Sequence, residues 1–336
     1  MIGQAPRSQD AALDSSAAPK TSAVQETASS LRGSYASAPQ TFAVISRYLL
    51  LLLLAVVGLS CDSSQGVGSQ NEDPCYLDTA CPLGTPIPSS LLRAAITVTM
   101  DDATTAGYSG VLLNTVHGEG TPYVLTARHT RSGRLDDLNE WLGWLEFHVG
   151  HRNRICSVDR ELPPCSEDAC CIKGGTVVAT GADRDGWPGT GTRDFRLIRL
   201  SRPIPTICDA AYAGWSLDTS NVSGGIAVGY PRGRPLAAVI AEGPMRGVSH
   251  PGAEGMLWAP ITQGRLELGQ SGSPLAQSDG KVLGIVRTGT ACPPQPGTGT
   301  SVPTLVHNWL HGPPGSRLVD HLAGGDASVR SVPARD

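Results

Sequence analysis

Charge is scarce in this chain. Only 17% of its 336 residues are charged, against roughly 25% in ordinary globular proteins, and the net charge is −4. So little charge excludes a highly charged disordered chain, and the lack of a basic excess removes any electrostatic ground for a nucleic-acid partner. Long 3.6-period apolar patterns are almost absent, which sets aside coiled coils and helical bundles. No internal repeat is present. The longest apolar run, residues 48–60, has 13 residues and is too short to span a bilayer comfortably, so a multi-span membrane protein is excluded too. What the chain has in excess is turn-forming residues. Its 40 glycines and 26 prolines make up about a fifth of the sequence, where about 12% is usual.

That excess predicts many short strands separated by turns. Candidate strands are SGVLLNTV (109–116), PYVLTA (122–127), GTVVAT (175–180), FRLIRL (195–200), GIAVGY (225–230) and KVLGIVRT (281–288). They lie in one body at 73–324 and indicate an all-β barrel or sandwich. The exception is SRLVDHLA (316–323), where Leu318, Val319 and Leu322 form a helical stripe beneath an N-cap candidate, Ser316. A short C-terminal helix is expected there, and residues 325–336 are expected to be a disordered tail.

The run YLLLLLLAVVGLS (48–60) follows Arg47 and fits the apolar region of a secretory signal. About 45 polar, Ser/Ala-rich residues precede it, so translation is expected to begin near Val44. Residues 1–60 are read as a leader and 61–72 as a flexible tether. Cys61, in Gly58-Leu59-Ser60-Cys61, resembles a bacterial lipoprotein site, although the usual leucine is displaced by one position. The expected location is outside the cytoplasm, secreted or lipid-anchored at the cell envelope. Nine cysteines then divide into one lipidated residue and four disulfides, which persist in an oxidising compartment. The competing reading is a metal site of His148, His151, Cys156, Cys165, Cys170 and Cys171, whose spacing matches no common zinc pattern.

The segment ELGQSGSPLAQSDGKVLGIV (267–286) carries the most chemistry. A nucleophilic hydroxyl must stand on a tight turn where backbone N–H groups converge on a developing oxyanion. Ser271, flanked by Gly269 and Gly272 and followed by Pro274, fits that need. Such a hydroxyl also requires a base, and the base an orienting acceptor. His129 follows a strand ending in Thr126-Ala127, and Asp194 heads the strand FRLIRL. The chain order His129…Asp194…Ser271, at intervals of 65 and 77 residues, is that of the chymotrypsin arrangement.

With those motifs the chain resembles a chymotrypsin-fold serine endopeptidase, and among these the bacterial lysyl endopeptidases. The likeness extends to Cys75-(5)-Cys81-Pro82, Ala213-Gly214-Trp215, Tyr230-Pro231-Arg232-Gly233, Val282-Leu283-Gly284, Cys292, Trp309 and Ser316-Arg317-Leu318. It implies two packed six-stranded antiparallel β-barrels with a short C-terminal helix. Ser271 would be the nucleophile, His129 the base and Asp194 its orienting partner, with the N–H groups of Gly269 and Ser271 as the oxyanion hole. It also implies the disulfides Cys75–Cys292 and Cys81–Cys156. The family's disulfide beside the histidine is missing, its positions being Tyr108 and Thr130. Of the cysteines left, Cys170 and Cys171 are neighbours and cannot pair without strain. Cys208 is therefore expected to bond one of them and Cys165 the other.

The specificity pocket departs from the family. Six residues before the nucleophile stands Arg265, and the later loop PPQPGTGTSVP (293–303) has no acid, Thr300 being the nearest match. Arg265, Arg287, Gly289 and Thr300 are the pocket candidates. Cleavage after lysine is not expected, because a lysine ammonium would be buried without a counter-charge. Gln270 replaces the acid that pairs with a new N-terminus in trypsin-like zymogens, so a preformed oxyanion hole is expected. No cofactor is implied. The expected partners are polypeptide substrates, not nucleic acid, with a membrane contact only through Cys61 and the chain acting as a monomer. An esterase and a catalytically silent binding homologue are the competing functions; the first lacks the strand–elbow–helix context at Ser271.

Overall fold

The computed structural model describes residues 75–79, 83–100, 107–129, 142–150, 165–181 except 167, 193–231, 236–248, 255–290 except 288, and 297–336 except 298. The leader, Cys61, the tether and the cysteines Cys81, Cys156 and Cys292 lie outside them. Among the described residues no helix is long and apolar enough to cross a membrane.

In chain order the first elements are β1 (Leu77–Asp78), α1 (Ser89–Ala94), β2 (Ala95–Met100), β3 (Tyr108–Leu113), β4 (Tyr123–Thr126), β5 (Leu145–His148), β6 (Cys171–Lys173), β7 (Gly175–Thr180) and β8 (Arg196–Leu200). Then come β9 (Trp215–Ser216), β10 (Ser223–Gly229), β11 (Ala237–Pro244), β12 (Arg246–Gly247), β13 (Met256–Gln263), β14 (Pro274–Ala276), β15 (Val282–Ile285), β16 (Gly299–Pro303), α2 (Leu305–Asn308), α3 (Leu318–Leu322) and β17 (Ser331–Val332). The protein is mostly β, as its turn-rich composition requires. Among the described residues one sheet has seven strands in the order β6-β5-β2-β3-β4-β8-β7. The other has ten, in the order β12-β13-β11-β10-β14-β15-β9-β17 with β1 on β11 and β16 on β13. Among the described residues the strands do not sort into two sets of six. The additional pairing comes from strands of two or three residues, which are too short to show a period of two.

Central strand β3 is buried along its whole length. Its apolar members Val111, Leu112 and Leu113 join Val124, Leu125, Leu197 and Ile198 in one core. A second core lies within the ten-stranded sheet, around Val239, Leu257, Ile261, Leu275 and Val302. Each such side chain contributes about 1.5–3 kcal/mol by leaving water. Trp215, fully buried, joins the first core and packs on Trp309 with ring centroids 4.7 Å apart.

Two expectations about the C-terminal region change. Helix α3 buries Leu318, Val319 and Leu322, but its N-cap is Arg317, not Ser316. The Asp320 carboxylate reaches back to the Arg317 and Gly315 N–H groups and does the capping. The tail expected at 325–336 is instead built into the sheet. Ser331 and Val332 pair with Ser216 and Trp215, and Arg335 and Tyr212 exchange backbone hydrogen bonds at 2.9 and 2.7 Å. These bonds satisfy backbone groups that a free tail would give to water.

Candidate active site

Strand register brings the candidate base and its orienting partner together. Strands β4 and β8 run antiparallel with Thr126 opposite Arg196. The chain leaving β4 toward His129 therefore runs beside the chain that enters β8 from Asp194. Asp194 is buried at 2% exposure. Its Oδ1 accepts from the N–H groups of Arg128 and His129 at 3.0 and 2.8 Å, while Oδ2 meets His129 Nδ1. The other ring nitrogen, Nε2, lies 2.9 Å from Ser271 Oγ. Burial pushes the Asp194 carboxyl up, but hydrogen bonding and charge from His129, with the Arg287 guanidinium, outweigh it and hold the group below the usual carboxylate value.

Ser271 comes from the ten-stranded sheet, in the turn before β14. Gly272 has φ +87°, and a Cβ there would lie 2.1 Å from the Ser109 carbonyl oxygen; only glycine fits. Gly269 is also left-handed, at φ +95°. The turn is closed by Gln270, fully buried, which donates its N–H to the Glu267 carbonyl and accepts the Glu267 N–H on Oε1 at 2.8 Å. Among the described residues the N–H groups of Gly269 and Ser271 donate to no protein acceptor.

Ser109, the second residue of β3, ties this turn to the other sheet. Its N–H donates to the Ser271 carbonyl at 2.9 Å and its Oγ to the Gly269 carbonyl at 2.8 Å. The same Oγ accepts from the Tyr230 N–H at 2.9 Å. Sequence reading missed this residue. The available signal was a lone small hydroxyl inside an otherwise apolar strand.

The pocket candidates separate. Arg265 forms an ion pair with Glu267. Its neighbour Leu266 exchanges hydrogen bonds with Thr290, and a Cβ on Gly289 would lie 2.8 Å from the Leu266 carbonyl oxygen. Segments 265–267 and 289–290 thus lie side by side. Thr300 is buried in β16 opposite Ala259. Arg287 stands elsewhere: its Nε is 3.7 Å from Asp194 Oδ2, a contact that sequence reading did not anticipate.

Cysteine pairing is resolved where it was open. The bonds are Cys165–Cys171 and Cys170–Cys208. Cys75 is disulfide-bonded, and its expected partner Cys292 is among the residues not described. Glu146, His148 and Cys171 present ligand atoms within 4.8 Å of one another. The Cys171 sulfur is engaged in a disulfide, however, and offers no thiolate to a metal.

A family model of the lysyl endopeptidase C-terminal domain matches residues 69–301. The chain belongs to that family. This lysyl endopeptidase homologue is accordingly a chymotrypsin-fold serine endopeptidase, and its substrates are polypeptides. Solved structures similar to it include neuropsin, a serine protease expressed in the limbic system of mouse brain, at 18% identity and a TM-score of 0.45, covering 66% of this chain and 93% of that one. The Rv3671c protease in its inactive form matches at 16% identity and a TM-score of 0.37, with 66% and 93% covered. An inactive serine-to-alanine mutant of Rv3671c from M. tuberculosis H37Rv gives 16% and 0.38, with 74% and 98% covered.

Proposed function

We propose that this homologue is an exported serine endopeptidase that works through Ser271, His129 and Asp194 and does not select lysine. The observation that carries the reading is the continuous contact from Asp194 Oδ2 to His129 Nδ1 and from His129 Nε2 to Ser271 Oγ at 2.9 Å. The Ser271 Oγ attacks the scissile carbonyl carbon while its proton passes to His129 Nε2. The carbonyl oxygen takes the negative charge and is held by the N–H groups of Gly269 and Ser271. Collapse of this intermediate breaks the C–N bond, and His129 gives the proton to the departing amine. The acyl-enzyme is then hydrolysed by water, with His129 again taking the proton. Asp194 keeps the Nδ1–H tautomer and stabilises the imidazolium formed at each step.

The absence of lysine selectivity rests on charge. The acid next to Arg265 is Glu267, and the two are paired with each other. A substrate ammonium would have to displace Arg265 to reach that carboxylate, and Thr300 supplies no charge in its place. Export rests on the leader and on disulfides that need an oxidising compartment.

The test is a peptide-library cleavage profile of oxidatively refolded protein beside S271A. Loss of the nucleophile should lower turnover by about 10⁴- to 10⁶-fold, and the wild-type profile should lack a lysine preference. Equal turnover by both proteins, or cleavage confined to lysyl bonds, would overturn the corresponding half of the proposal. No cleavage together with no reaction of Ser271 would support a silent binding homologue.

A further inference from the structure

We propose that Arg287 is a positioning residue for the Asp194–His129 pair, and that its charge sets the pH at which Ser271 becomes reactive. The inference rests on the assignment of His129 as the base of Ser271. Arg287 follows β15 directly. The backbone there is locked to the nucleophile turn: the Gly272 N–H donates to the Val286 carbonyl at 2.9 Å, and the Val286 N–H to the Ser273 carbonyl at 2.7 Å. The next residue, Arg287, therefore stands beside the turn that carries Ser271. Its guanidinium, 16% exposed, has one ion-pair partner among the described residues, the 2%-exposed Asp194. It meets the same oxygen, Oδ2, that His129 Nδ1 contacts.

Oδ2 thus serves two cationic or hydrogen-bearing partners at once. The guanidinium contacts Oδ2 while the two backbone donors hold Oδ1, so the carboxylate is engaged at both oxygens. The guanidinium also cancels part of the negative charge that would stabilise an imidazolium on His129. Other charged and titratable groups face this centre as well. Arg196 is buried in β8, with Tyr108 from β3 close to it, and Arg128 lies beside His129 with Nη1 bound to the Gly181 carbonyl at 2.7 Å. Arg287 is in ion-pair contact with Asp194 itself.

The experiment follows the rate of inactivation of the full chain by a small fluorophosphonate as a function of pH. This probe reports the reactivity of Ser271 without needing a known substrate. The proteins compared are wild type, R287Q, R287M and R287K, each checked for cooperative thermal unfolding. Removing a cation this close should move the acid limb of the profile upward by about half to one pH unit. Below the midpoint the neutral variants then react roughly 3- to 10-fold more slowly than wild type, while R287K keeps the wild-type limb. A folded R287Q or R287M with an unmoved limb, or R287K moving as far as R287Q, would overturn the role. If neither neutral variant folds while R287K does, Arg287 belongs to the stability of the cleft and the proposal fails. Absence of any probe adduct on Ser271 in folded wild type would instead refute the assignment of the nucleophile.

Discussion

Ser109 and Ser271 belong to different sheets, yet the Ser109 N–H donates to the Ser271 carbonyl at 2.9 Å. With the Ser109 Oγ bound to the Gly269 carbonyl, β3 holds the Ser271 turn at two points. His129 and Asp194 are fixed by β4 and β8, which extend the same sheet from β3. Ser109 thus helps to fix the distance from Ser271 Oγ to His129 Nε2 across the two sheets. S109A removes the Oγ and leaves the Gly269 carbonyl and the Tyr230 N–H without that partner. A stability loss of about 1–3 kcal/mol is expected from denaturant unfolding. Fluorophosphonate labelling of Ser271 should slow by about tenfold or more if the hydroxyl orients the turn.

Gly272 is the most constrained position of the turn. At φ +87°, an added methyl would meet the Ser109 carbonyl oxygen at 2.1 Å and Thr126 Oγ1 at 2.4 Å. G272A is expected to cost about 2–4 kcal/mol and to abolish labelling of Ser271. Wild-type stability in that variant would show that the turn relaxes freely.

The Cys170–Cys208 bond closes a loop of 38 residues. By chain entropy it should stabilise the fold by about 2–4 kcal/mol. Replacing both cysteines by serine should lower the denaturant midpoint accordingly, and non-reducing peptide mapping should recover Cys165–Cys171 separately. Recovery of Cys165 bound to Cys170 would contradict the pairing.

Asp320 links the C-terminal helix to pH. Hydrogen bonds from the Arg317 side chain, then from the backbone N–H groups of Arg317 and Gly315, lower its carboxyl to about 2 against the cost of burial. A depressed carboxylate stabilises the fold above the unfolded value near 4 and loses that contribution as pH falls through the folded one. D320N should therefore melt below wild type at pH 7, by a cap worth about 1 kcal/mol. The difference should shrink between about pH 4 and pH 2. An equal difference at both ends would contradict the capping role.

The local signatures of the proposed triad were more legible in the sequence than the contacts around it. His129, Asp194 and Ser271 each have a local signature: a strand end, a strand head and a glycine-flanked turn. Their chain order limits how they can combine. The C-terminal strand was not legible, because Ser331–Val332 is too short for periodicity and its partner Trp215 lies more than a hundred residues away. Choosing between Cys170 and Cys171 requires knowing which face each takes, and adjacent residues point to opposite faces of a strand. Arg287 reads as a pocket residue in one dimension. Only the bonds between Val286 and the Ser271 turn direct it to Asp194.

The most direct test of the account is peptide mapping of fluorophosphonate-treated wild type and H129A at pH 7. One adduct on Ser271 in wild type, lost or slowed by at least about a thousandfold in folded H129A, is the predicted result. Equal labelling of Ser271 in both proteins, or an adduct on a different serine, would contradict the claim that His129 activates Ser271.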